Sequence, residues 1–168
     1  VYSQPPSGFR EAVAAMRRKM EEEAGEAREG VNIKAGRGGI VDVEFIAQGL
    51  TLEHGGSDPW LRVPNTLTAL RRLRRRGHLP PAAYRDLAQA YLFLRHAESR
   101  LRIVHNISSN VLPNDPVQRR LLARRMGYPD DALGKAEDKL DRDLVLHTSA
   151  ARRWFNDLFE VSIEESKT

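Results

Sequence analysis

The 168 residues contain no cysteine, so neither disulfides nor thiolate chemistry is available, which suits a cytoplasmic protein. No run approaches the roughly 18 apolar residues that a membrane span needs, and no secretory signal is visible. Histidine occurs only five times, and no two histidines stand four apart. A histidine-based metal centre therefore has no candidate ligand pair. Acidic residues are scarce in one region: residues 61–128 carry 14 basic side chains against 3 acidic ones. The flanks are acidic, with 7 basic and 10 acidic residues in 1–60 and 6 and 10 in 129–168. A net charge of +4 thus conceals a strongly cationic centre suited to an anionic partner or ligand.

What is present describes a folded domain, with 40% apolar and 30% charged residues and no internal repeat. Helical signals dominate. Ser7, after Pro5-Pro6, is the expected N-cap of a helix through "REAVAAMRRKMEEEAGEA". "VNIK", residues 31–34, is the only extended candidate. From about Val41, the residues Val43, Ile46, Ala47 and Leu50 recur at helical spacing, and Gly55-Gly56 closes that segment. Asn65 caps a helix with Leu67, Leu70 and Leu73 inward and Gly77 as its stop. After Pro80-Pro81, Leu87, Ala90, Tyr91, Leu94, Ala97, Leu101 and Val104 mark a long helix ending near Asn106. Asp115-Pro116 reads as N-cap and first residue of another helix reaching Gly127. A last helix is expected from about Asp131 to Phe159, carrying Leu140, Leu144, Trp154, Phe155 and Leu158.

The expected fold is all-α, a bundle of about six helices with at most one short strand near 31–34. It forms a single domain: an N-terminal helix in 1–30, the bundle in 31–160 and a tail in 161–168. The opening "VYSQPPSGFR" suggests a piece excised from something longer.

Chemistry concentrates in "NIKAGRGGIVDVEF", Asn32 to Phe45. Gly36, Gly38 and Gly39 with Lys34 and Arg37 suit a phosphate-contacting loop ahead of a helix N-terminus, or a plain turn. Neither common nucleotide fingerprint is present. Asp42 and Glu44 fit the first turn of a helix, as cap and dipole partner, or a place beside Mg²⁺. On a helix these two point about 200° apart and cannot share a face. The arginine run "RRLRRRG", Arg71 to Gly77, has no interleaved aromatic, zinc-finger spacing or RNA-binding motif, so nucleic acid is not the expected partner. "GGSDP" (Gly55 to Pro59) and "DRD" (Asp141 to Asp143) imitate nucleotidyltransferase motifs but read as a loop and a charged helix face.

The stretch "NIKAGRGGIVDVEFIAQGLTLEHGG" closely resembles the segment that follows the catalytic fold in glutamine synthetase adenylyltransferases. There an Asp-Ile-Lys, a glycine-rich turn, Asp-Ile-Glu-Phe and a Gln recur. The resemblance continues through "DPWLRVPNTLTALRRLRRRGHLP" and "AYLFLRHAESRLRIVHN", covering about Val31 to Gly127. Lys34, Gly36, Gly38, Gly39, Asp42, Glu44, Phe45 and Gln48 match, whereas Asn32 stands where the family has Asp.

The resemblance implies the helical domain of a bifunctional enzyme that adds AMP to a glutamine synthetase tyrosine, or removes it, in nitrogen regulation. Val41-Asp42 ahead of Val43-Glu44-Phe45 favours the adenylylating half. It also implies Mg²⁺ and ATP as cofactors of the larger multidomain enzyme, with neither expected to bind tightly to this fragment, and three partners: an upstream nucleotidyltransferase domain, glutamine synthetase and the PII signalling protein. Lys34, Asp42 and Glu44 become auxiliary catalytic residues, while Lys34, Gly36, Arg37, Gly38 and Gly39 become cofactor-contacting ones, with no metal ligand assigned. The Gly-Ser and Asp-x-Asp carboxylates that hold the metal are absent from this chain, so the fragment alone is expected to be inactive. Alternatives are the helical domain of a PII uridylyltransferase, or a stand-alone module whose basic surface binds an anionic partner.

Overall fold

Two apolar clusters, joined by a pair of long antiparallel helices, organise the domain. The computed structural model describes residues 5–26, 30–105 and 110–160, with the side chains of 26 and 103–105 outside that description. Six α-helices occur there: α1 (Phe9–Glu26), α2 (Ile40–His54), α3 (Thr66–Arg75), α4 (Pro81–His105), α5 (Pro116–Arg125) and α6 (Ala136–Phe159), with a 3₁₀ turn at Pro59–Leu61. Among the described residues there is no strand, only two isolated bridges, Asn32 with Val111 at the expected extended segment and Asp131 with Gly134. None of these helices is long and apolar enough to cross a membrane.

The first cluster joins Val43, Ile46 and Leu50 of α2, Leu70 and Leu73 of α3, Leu87 of α4, and Phe155 and Phe159 of α6. Ile33, Ile40, Leu94, Leu101, Leu122, Leu140 and Leu144 build the second. The N-terminal half of α4 therefore meets the C-terminal half of α6, and the reverse holds at the other end. The glycine loop lies where the clusters adjoin: Ile33 and Ile40 enter one, and Val43 enters the other.

Local signals set most boundaries. Asn65 accepts the Thr68 N–H at 2.9 Å, and Asp115 accepts the Gln118 N–H at 2.9 Å, each satisfying a first-turn donor. Gly77, at φ +79, ends α3, with the His78 N–H bonded to the Leu73 carbonyl. Three expectations need correction. Helix α1 opens at Phe9 with the Gly8 carbonyl, not Ser7, next to its first turn. Leu67 is only half-buried and Ala69 takes the inner position. Helix α6 begins at Ala136, because Asp131 and Asp130 spend their side chains on the Leu133 and Ala136 N–H groups, both at 2.8 Å. These bonds favour a tight turn through Gly134 over another helical turn. The expected end near Asn106, the Val104 side chain and the tail 161–168 lie outside the described residues.

Candidate functional site

The loop before α2 is built on Asn32. Its side-chain oxygen accepts the N–H groups of Lys34 and Ala35, each at 3.0 Å, a role an aspartate oxygen at this position would fill equally. The Gly36 N–H donates to the Asn32 carbonyl, and the Gly39 N–H donates to the Gly36 carbonyl. The Ile40 and Val41 N–H groups, first-turn donors of α2, are taken by the carbonyls of Ile33 and Lys34 at 3.0 Å. Gly38 sits at φ +71, and a Cβ there would lie 2.0 Å from the Thr148 carbonyl oxygen of α6. Only glycine permits both that conformation and that approach. The N–H groups of Gly36, Gly38 and Gly39 are all engaged within the protein, so anion contact at this loop falls to the side chains of Lys34 and Arg37.

Asp42 is fully buried and sits below the loop in the first turn of α2. It does not cap that helix; Gly39 is the N-cap. One Asp42 oxygen accepts from Nε of Arg17, the other accepts the Gly38 N–H at 2.8 Å, and Arg152 stands 3.7 Å away. Arg17 also donates to the Gly36 carbonyl at 2.7 Å, and Arg152 donates to Glu21 at 2.8 Å. The cluster fastens α1, α2, α6 and the loop to one another. Burial pushes the Asp42 carboxyl above its ordinary range, against the opposing pull of Arg17, Arg152 and the Gly38 N–H.

The remaining candidates occupy other surroundings. Lys34 leans toward Glu98 of α4, 4.0 Å away. Arg37 is exposed and borders a cleft of about 590 Å³ beside Arg18, Glu21 and Arg152. Glu44 is half-buried. Lys34 and Asp42 therefore belong to two separate charge clusters, and among the described residues no three His, Asp or Glu side chains converge as metal ligands.

Sequence reading missed Arg17, Arg152 and Glu98. Each carries a signal: a charged residue at helical spacing from core positions. Arg17 follows Ala14 by three, Arg152 precedes Phe155 by three, and Glu98 lies between Leu94 and Leu101. The decoys resolve as expected. Asp58 accepts the Trp60 N–H, while Asp143 receives the Tyr128 hydroxyl. The fold does supply an aromatic to the arginine run, since Arg72 and Arg76 lie 4.7 and 4.8 Å from the Trp60 ring centre.

Residues 13–159 match the family described as GlnD PII-uridylyltransferase. Curated relatives named bifunctional glutamine synthetase adenylyltransferase/adenylyl-removing enzyme are similar across most of the chain. One from Bradyrhizobium diazoefficiens is 38% identical over 86% of this chain and 14% of its own length. One from Xanthobacter autotrophicus is 39% identical over 88% and 15%, and one from Nitrosomonas europaea is 36% identical over 89% and 15%. The chain thus spans about one seventh of the length of these relatives. An all-α bundle whose glycine loop and following helix lie inside the matched residues belongs to the GlnD PII-uridylyltransferase family, within which its curated relatives are glutamine synthetase adenylyltransferases.

Proposed function

We propose that this chain is the helical domain of a cytoplasmic glutamine synthetase adenylyltransferase. Beside an upstream nucleotidyltransferase domain, it supports ATP-dependent adenylylation of a tyrosine of glutamine synthetase, under control of the PII protein. One observation carries this reading: relatives bearing that enzyme's name match 86–89% of the chain. The Val41-Asp42 pair ahead of Val43-Glu44-Phe45 favours the adenylylating half.

The loop's part is charge. Lys34, with its side chain 42% exposed, faces the neighbouring domain's site and stabilises negative charge on the transferring phosphoryl group; Arg37 supplies a second cation. The acids of this chain do not fit a magnesium site. Asp42 is committed to Arg17, Gly38 and Arg152, and among the described residues no group of three His, Asp or Glu side chains, at Glu44 or elsewhere, could hold an ion. Magnesium therefore belongs to carboxylates upstream.

The test is AMP transfer from labelled ATP to glutamine synthetase by the full-length parent protein. Lys34→Ala should lower the rate about tenfold or more while leaving thermal unfolding unchanged, since among the described residues its only ion pair is the long one to Glu98. Absence of label on glutamine synthetase would overturn the function, and full activity of the variant would overturn the role of Lys34. A second reading follows from the description of the matched family. In parallel assays with UTP and PII, labelling of PII instead of glutamine synthetase would establish it.

A further inference from the structure

Glu98, in the C-terminal half of α4, is 2% exposed and gathers cations from two parts of the chain. Arg95 donates to one carboxylate oxygen at 2.7 Å, and Arg102 donates to the other at 3.1 Å. The Lys34 ammonium approaches that second oxygen at 4.0 Å from the glycine loop. One negative charge meets three positive ones, and among the described residues none of the three cations pairs with another carboxylate. The carboxylate is enclosed but the cations are open: side-chain exposure is 3% for Glu98 against 42% for Lys34, 48% for Arg95 and 57% for Arg102.

The pairing leaves donors unspent. Glu98 occupies a single nitrogen of each guanidinium, and 4.0 Å is too long for a hydrogen bond from Lys34. Among the described residues, two nitrogens on each arginine and the whole ammonium remain for a ligand. Neutralising a buried carboxylate needs one cation, not three, and the two surplus charges stand half-open to solvent, where an anion can reach them. Guanidinium forks match phosphate oxygens, and a compact ammonium adds a movable point charge.

We propose that Lys34, Arg95 and Arg102, organised by Glu98, form an oxyanion site for the polyphosphate group of a nucleotide. The nucleotide as source rests on the adenylyltransferase reading; the oxyanion site does not. Glu98 is a positioning residue, fixing the three head groups from below.

Calorimetric titration of the 168-residue chain with tripolyphosphate, ATP and adenosine at low salt tests this. Tripolyphosphate and ATP should bind with similar affinity, weakening as salt rises, and adenosine should not bind. Arg95→Gln/Arg102→Gln should weaken tripolyphosphate about tenfold; because it also removes both hydrogen bonds to the buried Glu98 carboxylate, the titration is run below the variant's own unfolding temperature. The control Arg71→Gln/Arg75→Gln removes the same charge from α3 and should leave affinity within about twofold. Glu98→Gln raises the local positive charge yet should weaken binding; tighter binding would overturn its positioning role. Lys34→Ala repeats the test without touching α4. Absence of tripolyphosphate binding, or equal losses in the α3 control, would overturn the site. Binding of tripolyphosphate but not ATP would overturn the nucleotide assignment. Because adenylylation is judged on glutamine synthetase with the parent protein, failure of either idea leaves the other standing.

Discussion

Asp42 and Arg17 are both wholly enclosed, and such a pair need not be a net gain over two apolar residues. Losing one member is a different matter, because the survivor keeps its burial and loses its counter-charge. Asp42→Asn retains an acceptor for the Gly38 N–H but leaves the Arg17 guanidinium facing a neutral amide. Among the described residues its Nη1 has no hydrogen-bond partner, only the Glu21 carboxylate 3.9 Å away, so there is little slack. The substitution should cost about 3–5 kcal/mol of stability, measured by urea denaturation of the isolated chain. A loss under about 1 kcal/mol would show that Asp42 does no more than a helix cap, where Asn and Asp are nearly equivalent. Lys34, half open and loosely paired, is the residue at which activity can be probed without disturbing the fold.

At the scale of elements, capping and periodicity made much of the bundle legible before any coordinates. Asn65, Asp115 and Gly77 act within a few residues of themselves, and the α4 stripe from Leu87 to Leu101 is buried as its spacing requires. The start of α6 was not legible, because the side chains of Asp130 and Asp131 compete for backbone donors in a way that helix propensity ignores. The site was half legible. Its loop announces itself by composition, but the partners of Asp42 and Lys34 come from α1, α6 and α4, and no local window contains them. Contacts between element ends also set a pH response. The His54 ring at the end of α2 stacks on His78 after α3, with centroids 3.8 Å apart. Burial, then the His78 charge, holds the His54 pKa below its ordinary value of 6.5. Burial likewise lowers that of His147, which packs on Phe93. The unfolded chain therefore takes up protons first. Stability is complete above about pH 6.5 and declines as pH falls below it, until the folded-state values are reached. Unfolding temperature should drop between about pH 7.5 and 5.5. The drop should be shallower in His54→Gln/His147→Gln; an identical slope in that variant would remove the histidines as its cause.

For the whole molecule, the question is whether α1 is an appendage or part of the domain. Its sequence looks separable, a charged helix before a glycine loop, and the matched family region begins only at residue 13. The contacts argue for integration. Arg10 holds Glu53 at 2.9 Å and the Leu158 carbonyl at 3.2 Å, joining α1 to the far ends of α2 and α6. Ala14 enters the first apolar cluster. Among the described residues, Arg17 supplies the only hydrogen bond from a cation to Asp42, leaving Arg152 at 3.7 Å as the other counter-charge. Removing residues 1–26 would strand Asp42 at a cost of about 3–5 kcal/mol, before counting exposed apolar surface. Domains of this kind have roughly 5–15 kcal/mol in all. The truncated chain should therefore lose its cooperative thermal transition by circular dichroism, or melt tens of degrees lower, on the order of several degrees per kcal/mol. A cooperative melt within about 2 °C of the full chain, a shift worth well under 1 kcal/mol, would instead make residues 31–160 the complete folding unit. Arg17 would then be an accessory clamp on a loop that holds its shape without it.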